Sequence, residues 1–312
     1  MTEKIKIWAK KRRYTVLVAD RYSLNEFRMK IKNSEFPGTL MTRDLFNTNN
    51  EFREMLENLK DIDTFSSVIL VAIPRPAHRL RFQTFKNSIE TIIPPTYVNY
   101  RKLNTDILLD IMKFMEVNKK VFRIFDSYLK TLAVHTGLSQ FGRNNITYND
   151  KYGSYFQLVG IGLLEEIEGF SPSASQPKNQ LDQCYRCSAC LNHCPTNAIR
   201  NDRFLINAHK CLSNLNIKPG TINKLSKIEP GYFCIVGCLD CQEICPANKG
   251  KLRWEDIPVE FSFKETETIL SGNDAHGYEL WCNKMNAFEL STSYGIVARN
   301  LRYIINQQIN QA

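Results

Sequence analysis

The sequence predicts an α+β protein in three stretches: a mixed helix–strand domain over residues 1–181, a cysteine-dense module over 182–250, and an extension over 251–312 that packs on the core. Three observations predict it. No cysteine occurs before Leu181, and buried-strand patterns there alternate with helical ones. Nine of the ten cysteines fall between Cys184 and Cys245. Between the two regions, "EEIEGFSPSASQPKNQ" (165–180) is polar and rich in Ser and Pro, which suits a domain boundary.

The first element is a strand, "YTVLVA" from Tyr14 to Ala19. It follows a twin arginine, Arg12 and Arg13, which raises an export signal as an alternative. The apolar stretch ends at Asp20 and Arg21, short of the roughly 7–15 residues such a signal needs. A cytoplasmic protein is expected. "VILVAI" (Val68 to Ile73) is a continuous β-rich run stopped by Pro74, as in a strand buried on both faces. From Thr105 to Lys120, apolar residues at Ile107, Leu108, Ile111, Met112 and Met115 make one helix face, and lysines close it. "SYLKTLAVHTGL" predicts another helix, capped by Gly137. "NITYNDKYGSYFQLVGIGLL" predicts two strands joined by the turn "NDKYG", the second entering a glycine-spaced buried run. The tail from Lys251 is partly helical in pattern.

Composition narrows the class. With 43% hydrophobic and 23% charged residues the chain is globular, and no apolar run is long enough to span a bilayer, so no membrane role is expected. Lys+Arg exceed Asp+Glu by 41 to 32, a net charge of +9. That favours an acidic partner such as nucleic acid, an anionic cofactor or an acidic redox protein; a basic surface kept for solubility is the plainer alternative.

The cysteine spacing carries the chemistry. "CYRCSACLNHCP" places Cys184, Cys187, Cys190 and Cys194 at C-x-x-C-x-x-C-x-x-x-C-P. A 4Fe-4S cubane needs one soft thiolate per iron, and in two-cluster ferredoxins the cysteine before proline serves the other cluster. A second group, "CLDCQEICP", supplies Cys238, Cys241 and Cys245, and Cys211 lies between the groups. The expected sets are Cys184, Cys187, Cys190 and Cys245 on one cluster, and Cys194, Cys211, Cys238 and Cys241 on the other. Cys234 is an alternative to Cys211, or else a small buried apolar residue. Cys282, alone in sequence, is expected to be structural. Two zinc sites are the competing reading, but zinc favours separated C-x-x-C pairs. Disulfides do not suit a reducing compartment.

These segments, "CYRCSACLNHCPTNAI", "FLINAHKCLSN" and "GCLDCQEICPANK", with the upstream "LAVHTGLSQFGRNNITYNDKYGSYFQLVGI", resemble the epoxyqueuosine reductase family and, more distantly, the reductive dehalogenases. The resemblance implies a nitroreductase-like α/β domain followed by a ferredoxin-like domain with two 4Fe-4S clusters. It also implies a cobalamin that receives their electrons and reduces an electrophilic substrate. The family's glycine-rich segment against the corrinoid maps onto Gly137, Leu138, Gly142, Arg143 and Asn144, with Gly153 and Ser154 in the next turn. Read from the residues alone, these glycines are helix-cap and turn positions. The family's proton donor maps by position onto Asp126, with Tyr128 a second candidate. Asp126 also suits the N-cap of the following helix, Tyr128 suits packing, and His135 is a surface or core histidine. The family's C-terminal helical repeat is not recognisable after Pro246. Expected partners are an electron donor such as a ferredoxin or flavodoxin and a small-molecule or nucleoside substrate, with tRNA among the candidates. The alternative function is a 4Fe-4S electron-transfer protein that serves a partner and binds no corrinoid.

Overall fold

A computed structural model describes residues 2–32, 62–116, 121–164, 178–202, 206–218, 234–272, 275–288, 290 and 294–309. Most of the expected boundary, 165–177, lies outside them. The chain forms two compact units, each discontinuous in sequence. The first comprises residues 1–74, 101–188 and 200–206, and the second comprises 75–100, 189–199 and 207–312.

The first unit is built on the antiparallel sheet β1-β2-β8-β5, with β1 Thr15–Ala19, β2 Ser67–Pro74, β5 Phe122–Phe125 and β8 Phe156–Leu163. The apolar runs read as buried strands are β1, β2 and β8, and β8 is buried along its whole length. Alternation across the sheet explains this burial. Val68, Leu70 and Ala72 face one way with Phe156 and Leu158, against Leu24, Phe27 and Ile31 of helix α2 (Arg21–Lys32) and Leu129 and Leu132 of helix α4 (Leu129–His135). Ile69, Val71 and Ile73 face the other way with Val159 and Ile161, against Ile5 and Trp8 of α1 (Thr2–Arg12) and Ile107 and Ile111 of α3 (Tyr100–Met115). The glycine spacing of β8 is a packing device. A Cβ on Gly160 would strike the Phe125 carbonyl, and one on Gly162 the Phe65 ring.

Three local expectations need correction. Helix α3 starts at Tyr100, five residues before Thr105, and Leu103 already packs on the core. The strand "TY", β7 (Thr147–Tyr148), pairs with β6 (Gln140–Phe141) and not with β8. Asn149 draws the intervening turn away: its side chain donates to the Leu138 carbonyl at 2.8 Å and accepts from the Lys151 N–H at 3.0 Å. Asp126 is not an N-cap, because that position belongs to Tyr128, in the left-handed region at φ 53° with no side-chain cap. The aspartate that does cap is Asp20, whose Oδ1 accepts from the Ser23 N–H at 2.8 Å at the start of α2.

The second unit holds the sheet β4-β3-β9, with β3 His78–Gln83, β4 Ser88–Ile93 and β9 Val259–Phe261. Phe82 on β3 stacks on Phe261 of the parallel neighbour β9, and Phe261 stacks in turn on Trp281. The tail is helical, as its pattern suggests. Helix α8 (Phe263–Ser271) opens with a capping box between Ser262 and Glu265. It is followed by α9 (Ala275–Met285) and α10 (Tyr294–Ile309). The cysteine region contributes the short helices α5 (Ala189–His193), α6 (Leu212–Ile217) and α7 (Asp240–Glu243). Among the described residues, no helix is long and apolar enough to cross a membrane.

Candidate metal centre

All ten cysteines are free thiols. The first unit carries Cys184 and Cys187; Cys190, Cys194, Cys211, Cys238, Cys241 and Cys245 belong to the second. Cys184 sits buried in the single turn Asp182–Tyr185. Its carbonyl accepts from Arg143 Nη2 at 2.8 Å.

In the second unit the Cys194 thiol has donors aimed at it. Cys194 Sγ accepts from the Ala198 N–H at 3.3 Å, with Thr196 Oγ1 at 3.6 Å. Cys211 is the N-cap of α6, with no side-chain cap, and its carbonyl accepts from the Asn214 and Leu215 N–H groups at 2.9 and 3.0 Å. At Cys238 and Cys234 the Asp240 and Leu239 amides partly offset the burial that raises those thiols. Amide donors to sulfur are the surroundings that stabilise iron–sulfur thiolates.

Charge interactions show which thiols approach one another: Cys211 feels Cys194, and Cys238 feels Cys234 and Cys241. These charges act between Cys194 and Cys211 and among Cys234, Cys238 and Cys241. Burial pushes the Cys211, Cys234 and Cys238 thiols up, as expected where thiolates lack a compensating positive centre. Burial also raises the Asp240 and Glu243 carboxyls beside them. The Tyr97 hydroxyl is enclosed next to Cys211, Cys238 and Cys234, and burial pushes it up to about 12. Among the described residues, no three His, Cys, Asp or Glu side chains converge as they would around a single ion. A cubane does not ask for that, since each thiolate binds a different iron corner. The donor set fits two clusters.

The residues assigned to a corrinoid by resemblance lie in the first unit. Gly137, at φ 81°, follows the C-cap of α4, and Leu138 is buried beside it. Gly142 closes a tight turn, donating to the Ile146 carbonyl and accepting from the Asn145 N–H. A Cβ on Gly142 would lie 2.6 Å from both Asn144 Oδ1 and Tyr148 Cε2, so a neighbouring ring already fills that space. Asn144 donates to the Tyr148 hydroxyl at 2.8 Å. Gly153, at φ 60°, exchanges two hydrogen bonds with Asn149, and Ser154 is buried. Ser139 Oγ, one residue past Leu138, is buried with no hydrogen-bond partner among the described residues. Asp126 is exposed, while Tyr128 is half-buried and burial pushes its hydroxyl up to about 12. His135 is a core residue. Its Nε2 lies 3.1 Å from the Ser23 carbonyl, its ring packs on Phe27, and burial lowers its pKa.

Residues 183–248 match the family described as the 4Fe-4S double cluster binding domain. The fold over almost the whole chain matches solved structures. An epoxyqueuosine reductase from Bacillus subtilis superposes with a TM-score of 0.65 at 18% identity, covering 98% of this chain and 81% of that one. One from Streptococcus thermophilus does so at 0.65 and 19% identity, covering 99% and 81%. This chain is similar to the epoxyqueuosine reductases. At such identities the structures speak for a shared fold, here an α/β domain followed by a two-cluster ferredoxin-like one. Sequence relatives carry the same name. The Francisella cf. novicida epoxyqueuosine reductase is 28% identical over 61% of this chain and 52% of its own length. The Pseudomonas aeruginosa one is 36% identical over 38% and 31%. The matches therefore span about half, or less, of those relatives. The sequence signal missed was in unit two: β3 and β9 are short or interrupted by charge, and nothing local announced them.

Proposed function

We propose that the chain is an iron–sulfur oxidoreductase that passes electrons through two 4Fe-4S clusters to a bound cobalamin, which reduces an electrophilic substrate. The observation that carries this reading is the double-cluster match on residues 183–248, where thiols meet amide donors. Cys184, Cys187, Cys190 and Cys245 would hold one cluster and Cys194, Cys211, Cys238 and Cys241 the other. Gly137, Leu138, Gly142, Arg143, Asn144, Gly153 and Ser154 would line the corrinoid. The unpartnered Ser139 Oγ supports a polar ligand beside them. When bound, cobalamin supplies a strongly reducing metal centre. The protein's own part is to exclude water and hold a proton. Exposed Asp126 would be the proton donor, and Tyr128, whose hydroxyl burial pushes up to about 12, the second candidate.

One related structure is an epoxyqueuosine reductase with an epoxyqueuosine-modified tRNA stem loop. For this chain a tRNA substrate is proposed, in keeping with its +9 charge, along with a ferredoxin or flavodoxin as electron donor. A second reading, an electron-transfer protein without corrinoid, is favoured by one observation: Gly142, Arg143 and Asn144 already make internal contacts. Titrating anaerobic protein with cobalamin separates the two. A shifted absorption spectrum and co-elution support the reductase, and an unchanged spectrum leaves the electron carrier. With substrate turnover in hand, Asp126→Asn should abolish it while iron content holds.

A further inference from the structure

The cysteine loop 234–239 is gripped from behind by two asparagines that lie far apart in sequence. Asn216, on α6, is 0% exposed. Its Oδ1 accepts from the Gly237 N–H at 3.0 Å and its Nδ2 donates to the Gly237 carbonyl at 2.6 Å, so one side chain satisfies both polar groups of the residue before Cys238. Asn300, on α10 and also 0% exposed, donates to the Asn216 carbonyl at 3.0 Å and to the Ile235 carbonyl at 2.7 Å. Arg299 adds Nη2 to the Asn216 carbonyl at 2.5 Å and Nε to Asn300 Oδ1 at 3.0 Å. The front of Gly237 is closed as well, because its missing Cβ is replaced by the Tyr97 ring.

Loops that bear cluster ligands need fixed amides, since the sulfurs accept from them and the cluster potential follows those donors. A buried side-chain amide matched to the N–H and C=O of one residue, and so to two successive peptide units, does this without a charge of its own. Nothing about a helix at 294–309 requires an asparagine facing inward. Leucine would pack there at lower cost unless the carbonyls of 216 and 235 needed a donor.

We propose that Asn216 and Asn300 are positioning residues for the cluster ligated by Cys238 and Cys241, and that α10 thereby sets the amide geometry and reduction potential of that cluster. The inference rests on the two-cluster reading.

The test uses the full chain, purified and reconstituted anaerobically, as wild type, Asn216→Ala, Asn300→Ala and Arg302→Ala. Arg302 anchors α10 to the Leu270 carbonyl and touches neither asparagine, so it controls for a merely loosened helix. The readouts are EPR-monitored potentials of the two clusters and the rate of iron loss to a chelator. Expected in both asparagine variants is a shifted potential for one cluster, an unchanged one for the other, and roughly tenfold faster iron loss from the shifted cluster. Arg302→Ala should match wild type. If an alanine variant does not fold, Asn216→Asp, which keeps the shape and the acceptor for Gly237 N–H, replaces it with the same expectation. Unshifted potentials in iron-replete asparagine variants overturn the proposal and leave the cluster reading intact, as does an equal shift in Arg302→Ala. Wild-type protein that takes up no iron overturns the cluster reading, and the proposal with it.

Discussion

Gly237→Ala should be among the most damaging single-methyl substitutions in the second unit. The residue sits at φ 72°, and an added Cβ would lie 2.6 Å from both Cε2 and Cζ of Tyr97 and 3.1 Å from Pro94 Cγ. The backbone strain of a left-handed alanine is about 1–2 kcal/mol. Forcing a methyl group against the Tyr97 ring and Pro94 adds about 1–3 kcal/mol. The sum is about 2–5 kcal/mol. Gly250 provides the internal standard: it has nearly the same φ, 70°, with nothing within 4 Å of an added Cβ. Gly250→Ala should therefore show the backbone part alone, about 1–2 kcal/mol. Urea unfolding of the two variants and wild type, followed by tyrosine fluorescence, gives both differences from midpoints at constant slope. Equal losses at the two glycines would refute the claim that the Tyr97 ring occupies the space in front of the cysteine loop.

Further outcomes follow from the same geometry. Arg143→Leu removes the donor to the Cys184 carbonyl, a charged hydrogen bond worth about 1.5–3 kcal/mol. Chelator-driven bleaching should accelerate, and an unchanged rate would mean Arg143 does not support that cysteine. Cys211→Ala should lose about half the iron, whereas Cys234→Ala should keep it, since two cubanes share eight ligands; the reverse pattern would make Cys234 the ligand. His78 should make stability depend on pH. Burial, then the Arg75 charge, lowers its pKa from 6.5 to about 4. As pH drops below 6.5 the unfolded chain takes up a proton that the folded ring refuses until about pH 4. Stability is therefore full above that window and falls across it. The loss is about 1–2 kcal/mol once the ring's partial exposure is allowed for. The wild-type minus His78→Gln difference in unfolding free energy should show this slope, and a flat difference contradicts it.

What could be read in the sequence was whatever has a local cause. The strands β2 and β8 announce themselves because both faces are buried, so their residues are mostly apolar, and β1 does so by its apolar run Val16–Ala19. The cysteines announce themselves because ligand geometry fixes their spacing. The helix Leu129–His135 was legible for its apolar face, but its N-terminus was not: Tyr128 adopts φ 53° under the pressure of the surrounding core, where Asp126 has the better capping chemistry. The pairing of β7 with β6 was hidden for a similar reason. It depends on Asn149 reaching back to Leu138, a contact that no periodicity encodes. The interruption of the chain into two discontinuous units was equally silent. Residues 75–100 join the second unit through β3 and β4, where the charges of Arg79, Arg81 and Glu90 break up the apolar pattern. The asparagines behind the cysteine loop have no motif at all, since their roles exist only once α6 and α10 are brought together.

The two clusters are the centre of the account, and counting metal and sulfide in anaerobically purified protein tests them most directly. Brown protein with about eight iron and eight acid-labile sulfide per chain is expected. Colourless protein carrying zinc, with no labile sulfide, would contradict it.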